Sequence, residues 1–262
     1  MEIGFHGAAQ TVTGSKHLIK LINGVNFLLD CGMFQGHGKD TYLLNNQFGF
    51  SPPEVDFLIL SHAHIDHSGL IPKLCKEGFE GKIYCTEATK DLCEIMLMDS
   101  AHIQEADATF INKKRLKQNL PLIKPLYTSL DVIKCMNQFE TVNFNSEHKI
   151  NDFVKVMFTD NGHILGSATV NLRITEGSIS KRLCFTGDIG RFNSSLLKDP
   201  QPFPQPDTLI CESTYGNRLH DNISSAETEI LNAVIETCVV KKGKLRRTST
   251  CRLARSKGRT PT

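Results

Sequence analysis

The chain has 262 residues, enough to bury a substantial core, and its 40% hydrophobic and 22% charged content is that of an ordinary globular protein. No apolar run approaches the roughly 18 residues that cross a bilayer, and the start MEIGFHGAAQ has neither a basic nor an apolar leader region, so no membrane partner and a cytoplasmic location are expected. Seven bases and no acid fall in residues 244–262; without them 23 Lys and Arg face 28 Asp and Glu, so the body is mildly acidic and carries no global signature of polyanion binding.

In chain order, short β-branched and apolar runs predict strands at 18–22, 25–29, 55–60, 82–85, 153–158, 169–174, 182–185 and 208–211. Helical patterns fit 69–77, 86–110 with a break inside, 129–138 and 225–240, the last capped by Ser224 or Ser225. The polar, basic stretch 112–125, which contains Pro121 and ends at Pro125, reads as a linker or exposed excursion. After Gly243 the tail KLRRTSTCRLARSKGRTPT has neither a two-residue nor a 3.6-residue apolar period and reads as disordered or frame-shifted. Nine cysteines without a C-x-x-C pair are best explained as reduced, mostly buried thiols, which leaves any metal to His and Asp.

The chemistry concentrates after the strand at 55–60, where the chain delivers His62-Ala63-His64-Ile65-Asp66-His67. In extended backbone His62 and His64 point to one side, and two neutral imidazoles can bind one zinc ion while Asp66 and His67 reach a second. A catalytic zinc needs three protein ligands, so others must arrive from elsewhere. His163, in a glycine-flanked loop between two predicted strands, and Asp188, after the strand at 182–185, are candidates. Asp30, at the end of the strand at 25–29, suits a different task, accepting a hydrogen bond from a ligand imidazole to fix its tautomer.

These motifs, in this order, resemble the metallo-β-lactamase superfamily. The opening Gly7–Ser15, the loop Gly162–Ser167, Pro125–Thr128 and Glu212-Ser213-Thr214-Tyr215-Gly216 resemble its β-CASP nuclease branch. The resemblance implies an α/β metallo-β-lactamase αββα sandwich, incomplete at the C-terminus. Residues 1–211 would be the lactamase domain, 212–243 the start of a β-CASP cap, and 244–262 the aperiodic tail. It further implies two Zn²⁺ ions, the first held by His62, His64 and His163, the second by Asp66 and His67, with Asp188 shared. Asp66, Asp188 and Glu212 are the residues it places in catalysis, Glu212 by holding a proton-donating histidine of the cap.

The expected activity is zinc-dependent hydrolysis of RNA phosphodiester bonds, with room for a homodimer. Family members continue through a cap that supplies the donor histidine and a last ligand for the second ion, and neither is matched here. The expectation is therefore a weakened second zinc site and poor cleavage of RNA. A thioester or lactone hydrolase would share the HAHIDH centre but does not explain the Glu212 motif. A non-catalytic partner subunit would have lost metal ligands, whereas His62, His64, Asp66, His67, His163 and Asp188 all remain here.

Overall fold

The computed structural model describes residues 1–36, 38–194, 196–217 and 223–245. It divides into two compact units, Met1–Glu212 and Ser213–Thr262. In the second, a helix over Ile223–Val234 runs into a π-turn over Ile235–Val240. The helix begins ahead of the expected caps at Ser224 and Ser225, whose side chains lie outside the described residues, as does the tail from 246 onward.

The first unit holds two sheets. In one, β1 (Glu2–Phe5), β2 (His17–Lys20), β3 (Asn26–Leu29), β4 (Phe57–Ile59), β5 (Lys82–Cys85) and β6 (Phe139–Thr141) lie side by side in chain order. The first three are antiparallel, and β3 to β6 run parallel. Parallel neighbours need long crossovers, and helices supply them. α1 (Thr41–Asn46) precedes β4, α2 (Ile65–Ser68) and α3 (Ile71–Lys76) precede β5, and α4 (Glu87–Lys117) and α5 (Ser129–Met136) precede β6. In the other sheet β7 (His148–Lys149), β8 (Val154–Asp160), β9 (Ala168–Glu176) and β10 (Ile179–Phe185) are antiparallel, and β11 (Thr208–Ile210) joins β10 in parallel.

Side-chain alternation builds two cores. Phe27, Leu29, Phe57 and Ile59 face Val154, Val156, Phe158, Val170, Leu172 and Leu183 of the second sheet. Their neighbours Leu28, Leu58, Leu60 and Ile83 face the other way, against Leu70, Leu74, Cys93, Leu97, Ala101 and Val132 of the helices. β4 is therefore buried on both faces, and each such aliphatic side chain is worth about 1.5–3 kcal/mol of burial. On the outer face of the second sheet Lys155, Met157, Asn171, Arg173 and Arg182 line a groove of about 260 Å³ with Pro204 and Pro206.

The α/β sandwich that the resemblance implies is thus present, with corrections in detail. α4 is unbroken for 31 residues and extends to Lys117, so the first part of the expected linker is helix. Its bases Lys114, Arg115 and Lys117 sit in the last turn, where positive charge complements the helix dipole. Thr86 caps the other end by accepting from Thr89 N, and the buried Cys93, Leu97 and Ala101 recur at four-residue spacing. All eight described cysteines are free, five of them buried. No helix among the described residues is long and apolar enough to cross a membrane.

Candidate metal centre

Three loops meet at the carboxyl ends of β4, β8 and β10. β4 is followed by Leu60 and Ser61, then His62 and His64, and α2 opens at Ile65, which puts Asp66 and His67 in its first turn. His163 sits in the loop from β8 to β9, where its N–H donates to Ser167 Oγ at 3.1 Å. Asp188 follows β10. Asn161 Nδ2 donates to Thr186 O at 2.9 Å and ties these last two loops together. They pass so close that a Cβ on Gly190 would lie 2.0 Å from Gly162 O.

The structure gathers His62, His64, His163 and Asp188 so that one ligand atom of each lies within 4.8 Å of all the others. His62 Nε2 is 3.2 Å from His64 Nδ1, and His163 Nε2 is 3.1 Å from the same atom. Asp188 Oδ2 lies 3.5 Å from His163 Nε2 and 3.9 Å from His62 Nε2. His67 approaches the other oxygen, with Nε2 3.2 Å from Asp188 Oδ1. The carboxylate of Asp66 is half-buried and not one of the four, although it bears electrostatically on His64 and His163. The backbone of Asp66 is firmly held: Ser15 N donates to its carbonyl at 2.8 Å, and a Cβ on Gly32 would lie 1.6 Å from that oxygen.

Asp30 is fully buried beneath the centre, at a left-handed φ of 58°. Its Oδ1 accepts from Ser61 N at 2.8 Å, and its Oδ2 accepts from Ser61 Oγ at 3.0 Å, Ser15 Oγ at 3.1 Å and His67 Nδ1 at 2.6 Å. A hydroxyl has one proton. Ser61 spends its proton on Asp30, so its 3.0 Å contact with His62 Nδ1 must be a bond donated by that nitrogen. The neutral His62 ring then carries a bare lone pair on Nε2, facing His64 and Asp188. His67 likewise donates from Nδ1 and turns Nε2 toward Asp188.

The charges follow from burial and neighbours. His62 is held well below the ordinary histidine range by burial, then by His67, His64 and His163. Burial also lowers His64 and His163. For His67 burial is opposed and outweighed by Asp30 and Asp188, which raise it well above the ordinary value. Burial would raise Asp188, yet the hydrogen bond and charge of His67 and the charges of His163 and His64 bring it down. Three neutral imidazoles beside a carboxylate are in the protonation state that metal binding requires.

That set fits a small divalent cation. Nitrogens about 2.0–2.1 Å from a tetrahedral zinc stand roughly 3.3–3.4 Å apart, close to the separations found here. Hydrogen bonding alone explains the trio poorly, because His64 Nδ1 cannot satisfy two approaching ring nitrogens with one proton or one lone pair. Glu212, expected to hold a cap histidine, accepts from Ile189 N at 2.6 Å through Oε1 and so braces the loop carrying Asp188. Among the described residues no histidine hydrogen-bonds to it. Ser15, Ser61, Asn161 and Ser167 were not singled out individually by sequence reasoning; only the position of Ser61 directly before the histidine run hinted at a role.

Fold and site together define a metal-binding α/β sandwich of the metallo-β-lactamase type. A family model described as the metallo-beta-lactamase superfamily matches residues 17–221, and the chain belongs to that superfamily. Over 245 residues it is 34% identical to "Ribonuclease TTHA0252" of Thermus thermophilus, an alignment covering 94% of this chain and 51% of that protein. It is 32% identical to "Transcription termination factor FttA" of Methanocaldococcus jannaschii, covering 90% and 35%, and 30% identical to "Integrator complex subunit 11" of Danio rerio, covering 91% and 38%. The chain thus spans about half the length of the first of these relatives and less of the others. The β-CASP branch expected from the opening and Glu212 motifs is borne out by these relatives. Among solved structures, BJP-1, a subclass B3 metallo-β-lactamase of Bradyrhizobium japonicum, is 14% identical with a TM-score of 0.45, covering 86% of this chain and 89% of that one.

Proposed function

We propose that this chain carries the zinc centre of a cytoplasmic hydrolase that cuts RNA phosphodiester bonds. The observation that carries the reading is the trio His62, His64 and His163, whose ring nitrogens stand at the spacing of a zinc coordination shell while the single proton or lone pair of His64 Nδ1 cannot serve both of its neighbours. RNA as substrate is supported by two of the relatives, one named as a ribonuclease and one as a transcription termination factor.

In this reading His62, His64 and His163 would hold one ion and Asp66 and His67 a second, with Asp188 shared. Two divalent cations lower the pKa of a water and offset the charge that grows on the phosphoryl oxygens. The chain's own contribution is preorganisation. Asp30 fixes the ring of His67, Ser61 fixes that of His62, and Glu212 fixes the Asp188 loop through Ile189. Cleavage of RNA also needs a proton for the departing ribose oxygen, and the second oxygen of Glu212 is the one that would orient its donor.

Zinc content together with three substrates tests the reading. A bis(p-nitrophenyl) phosphate diester, whose leaving group needs no proton, is expected to be hydrolysed in a zinc-dependent manner and a labelled RNA oligonucleotide more slowly. Hydrolysis of a thioester with no action on either phosphodiester would refute the reading in favour of a small-molecule hydrolase. Absence of bound zinc would refute it in favour of a non-catalytic subunit.

A further inference from the structure

The segment Gly14-Ser15-Lys16-His17 contributes no metal ligand, yet two of its side chains reach toward the centre. His17, on β2, is only 4% exposed. Its ring lies edge-on to Phe5 of β1 at 5.1 Å and to Phe185 of β10 at 5.3 Å. Nδ1 is buried with no hydrogen-bond partner. Nε2 lies 3.4 Å from Ser15 Oγ, and that hydroxyl reaches Asp30 Oδ2 at 3.1 Å.

Two independent observations fix the proton on this ring. Carboxylate oxygens accept, so the one proton of Ser15 points at Asp30, and Ser15 Oγ can only accept from His17. That requires a proton on Nε2. The unpartnered Nδ1 requires the same: a bare buried lone pair is tolerated better than a buried N–H without an acceptor. A directional chain results, from His17 Nε2–H to Ser15 Oγ–H to Asp30 Oδ2, where His67 Nδ1–H arrives from the opposite side.

We propose that His17 is a positioning residue for the metal centre. By donating to Ser15 it locks the hydroxyl onto Asp30, and Asp30 in turn holds His67 with Nε2 turned toward Asp188. Its effect on metal binding rests on the zinc reading above. Its tautomer does not.

The tautomer is measured directly on the metal-free full chain by long-range ¹H–¹⁵N correlation of labelled histidines at neutral pH, with His17 assigned from its loss in H17Q. A ring protonated on Nε2 is expected; protonation on Nδ1, or an averaged ring, overturns the proposal. Zinc affinity, read by competition with a chromophoric chelator, separates positioning from packing. Glutamine can place an N–H near the position of Nε2, so H17Q is expected to stay within about twofold of the parent. H17L keeps an apolar plug between Phe5 and Phe185 but has no donor, and it is expected to bind zinc about three- to tenfold more weakly, below the 10–100-fold of a direct partner of a ligand.

A pure packing role predicts the reverse order, and equal losses in two folded variants would likewise overturn the assignment. If H17L does not fold, S15A replaces it, leaving His17 packing intact; about tenfold weaker binding is expected, and unchanged binding overturns the chain. Should the parent bind no zinc, the function proposed above fails, while the tautomer still decides the role of His17.

Discussion

Asp30→Asn is the most discriminating perturbation of the centre. Asparagine nearly matches aspartate in shape and shares its tolerance of the left-handed backbone found at this position, so the change isolates one atom. The acceptor that Ser61 N requires fixes the amide oxygen at the Oδ1 position and puts NH₂ where Oδ2 now receives Ser15, Ser61 and His67. Both hydroxyls can rotate to accept from that NH₂. His67 cannot rotate: held well above the ordinary value, its ring carries a proton on both nitrogens in the metal-free parent, whereas in the variant Nδ1 must give up its proton and accept, leaving the one remaining proton on Nε2, the face turned to Asp188.

In the parent, zinc would displace the Nε2 proton and leave Nδ1–H bonded to Asp30; in the variant the same displacement would force the remaining proton onto Nδ1, against the amide N–H. Loss of such a support for a ligand costs 10–100-fold in affinity, or about 1.4–2.7 kcal/mol. Chelator competition on the purified chain reads this directly, with circular dichroism to confirm folding. Zinc affinity within twofold of the parent in a folded D30N chain would refute the role given to Asp30.

Acid stability tests His17. Burial is the chief cause that lowers it from 6.5 to about 4, so between those values the unfolded chain takes up a proton that the folded chain refuses. Stability is therefore intact above pH 6.5 and falls as pH drops toward 4, by roughly 3 kcal/mol from this residue. Urea unfolding of the metal-free chain at several pH values should show a flatter profile for H17Q, and identical profiles would exclude the assignment. Gly32→Ala should cost about 3 kcal/mol or more, because its Cβ would fall on Asp66 O and no flexible side chain can yield; a Tm within a degree of the parent would contradict the packing described. Zinc at a hundredfold excess over Kd should stabilise the chain by about 2.7 kcal/mol, raising Tm by roughly 5–10 °C relative to chelator, and no difference would mean no site.

The sequence made the buried centre of the fold legible because there local pattern and burial agree. The strand at 82–85 is found as read, and the apolar run at 55–60 contains β4, whose two buried faces leave no polar residue to confuse the period. β1 went unread because it is an edge strand without alternating burial, and β6 and β7 because three and two residues carry no period. The expected break in α4 reflected its polar surface; its core contact is a narrow stripe that composition dilutes. At the site, His62, His64, Asp66 and His67 stood out by being contiguous. Ser15 and Ser61 did not, since a hydroxyl that directs a proton looks in sequence like any turn serine. Nothing in the spacing said that Glu212 would reach the peptide of Ile189, a contact made only when β10 and β11 lie side by side.

The candidate ligands do not come from one sheet. His62 and His64 leave β4, while His163 and Asp188 hang from the strands of the opposite layer. An ion bound among them would rivet the two layers at one rim, leaving the far rim to breathe. Hydrogen exchange in β4 and β9 should then slow together on metal addition, fastest-protected at the riveted edge, so that occupancy is felt as stiffness well beyond the coordinating atoms.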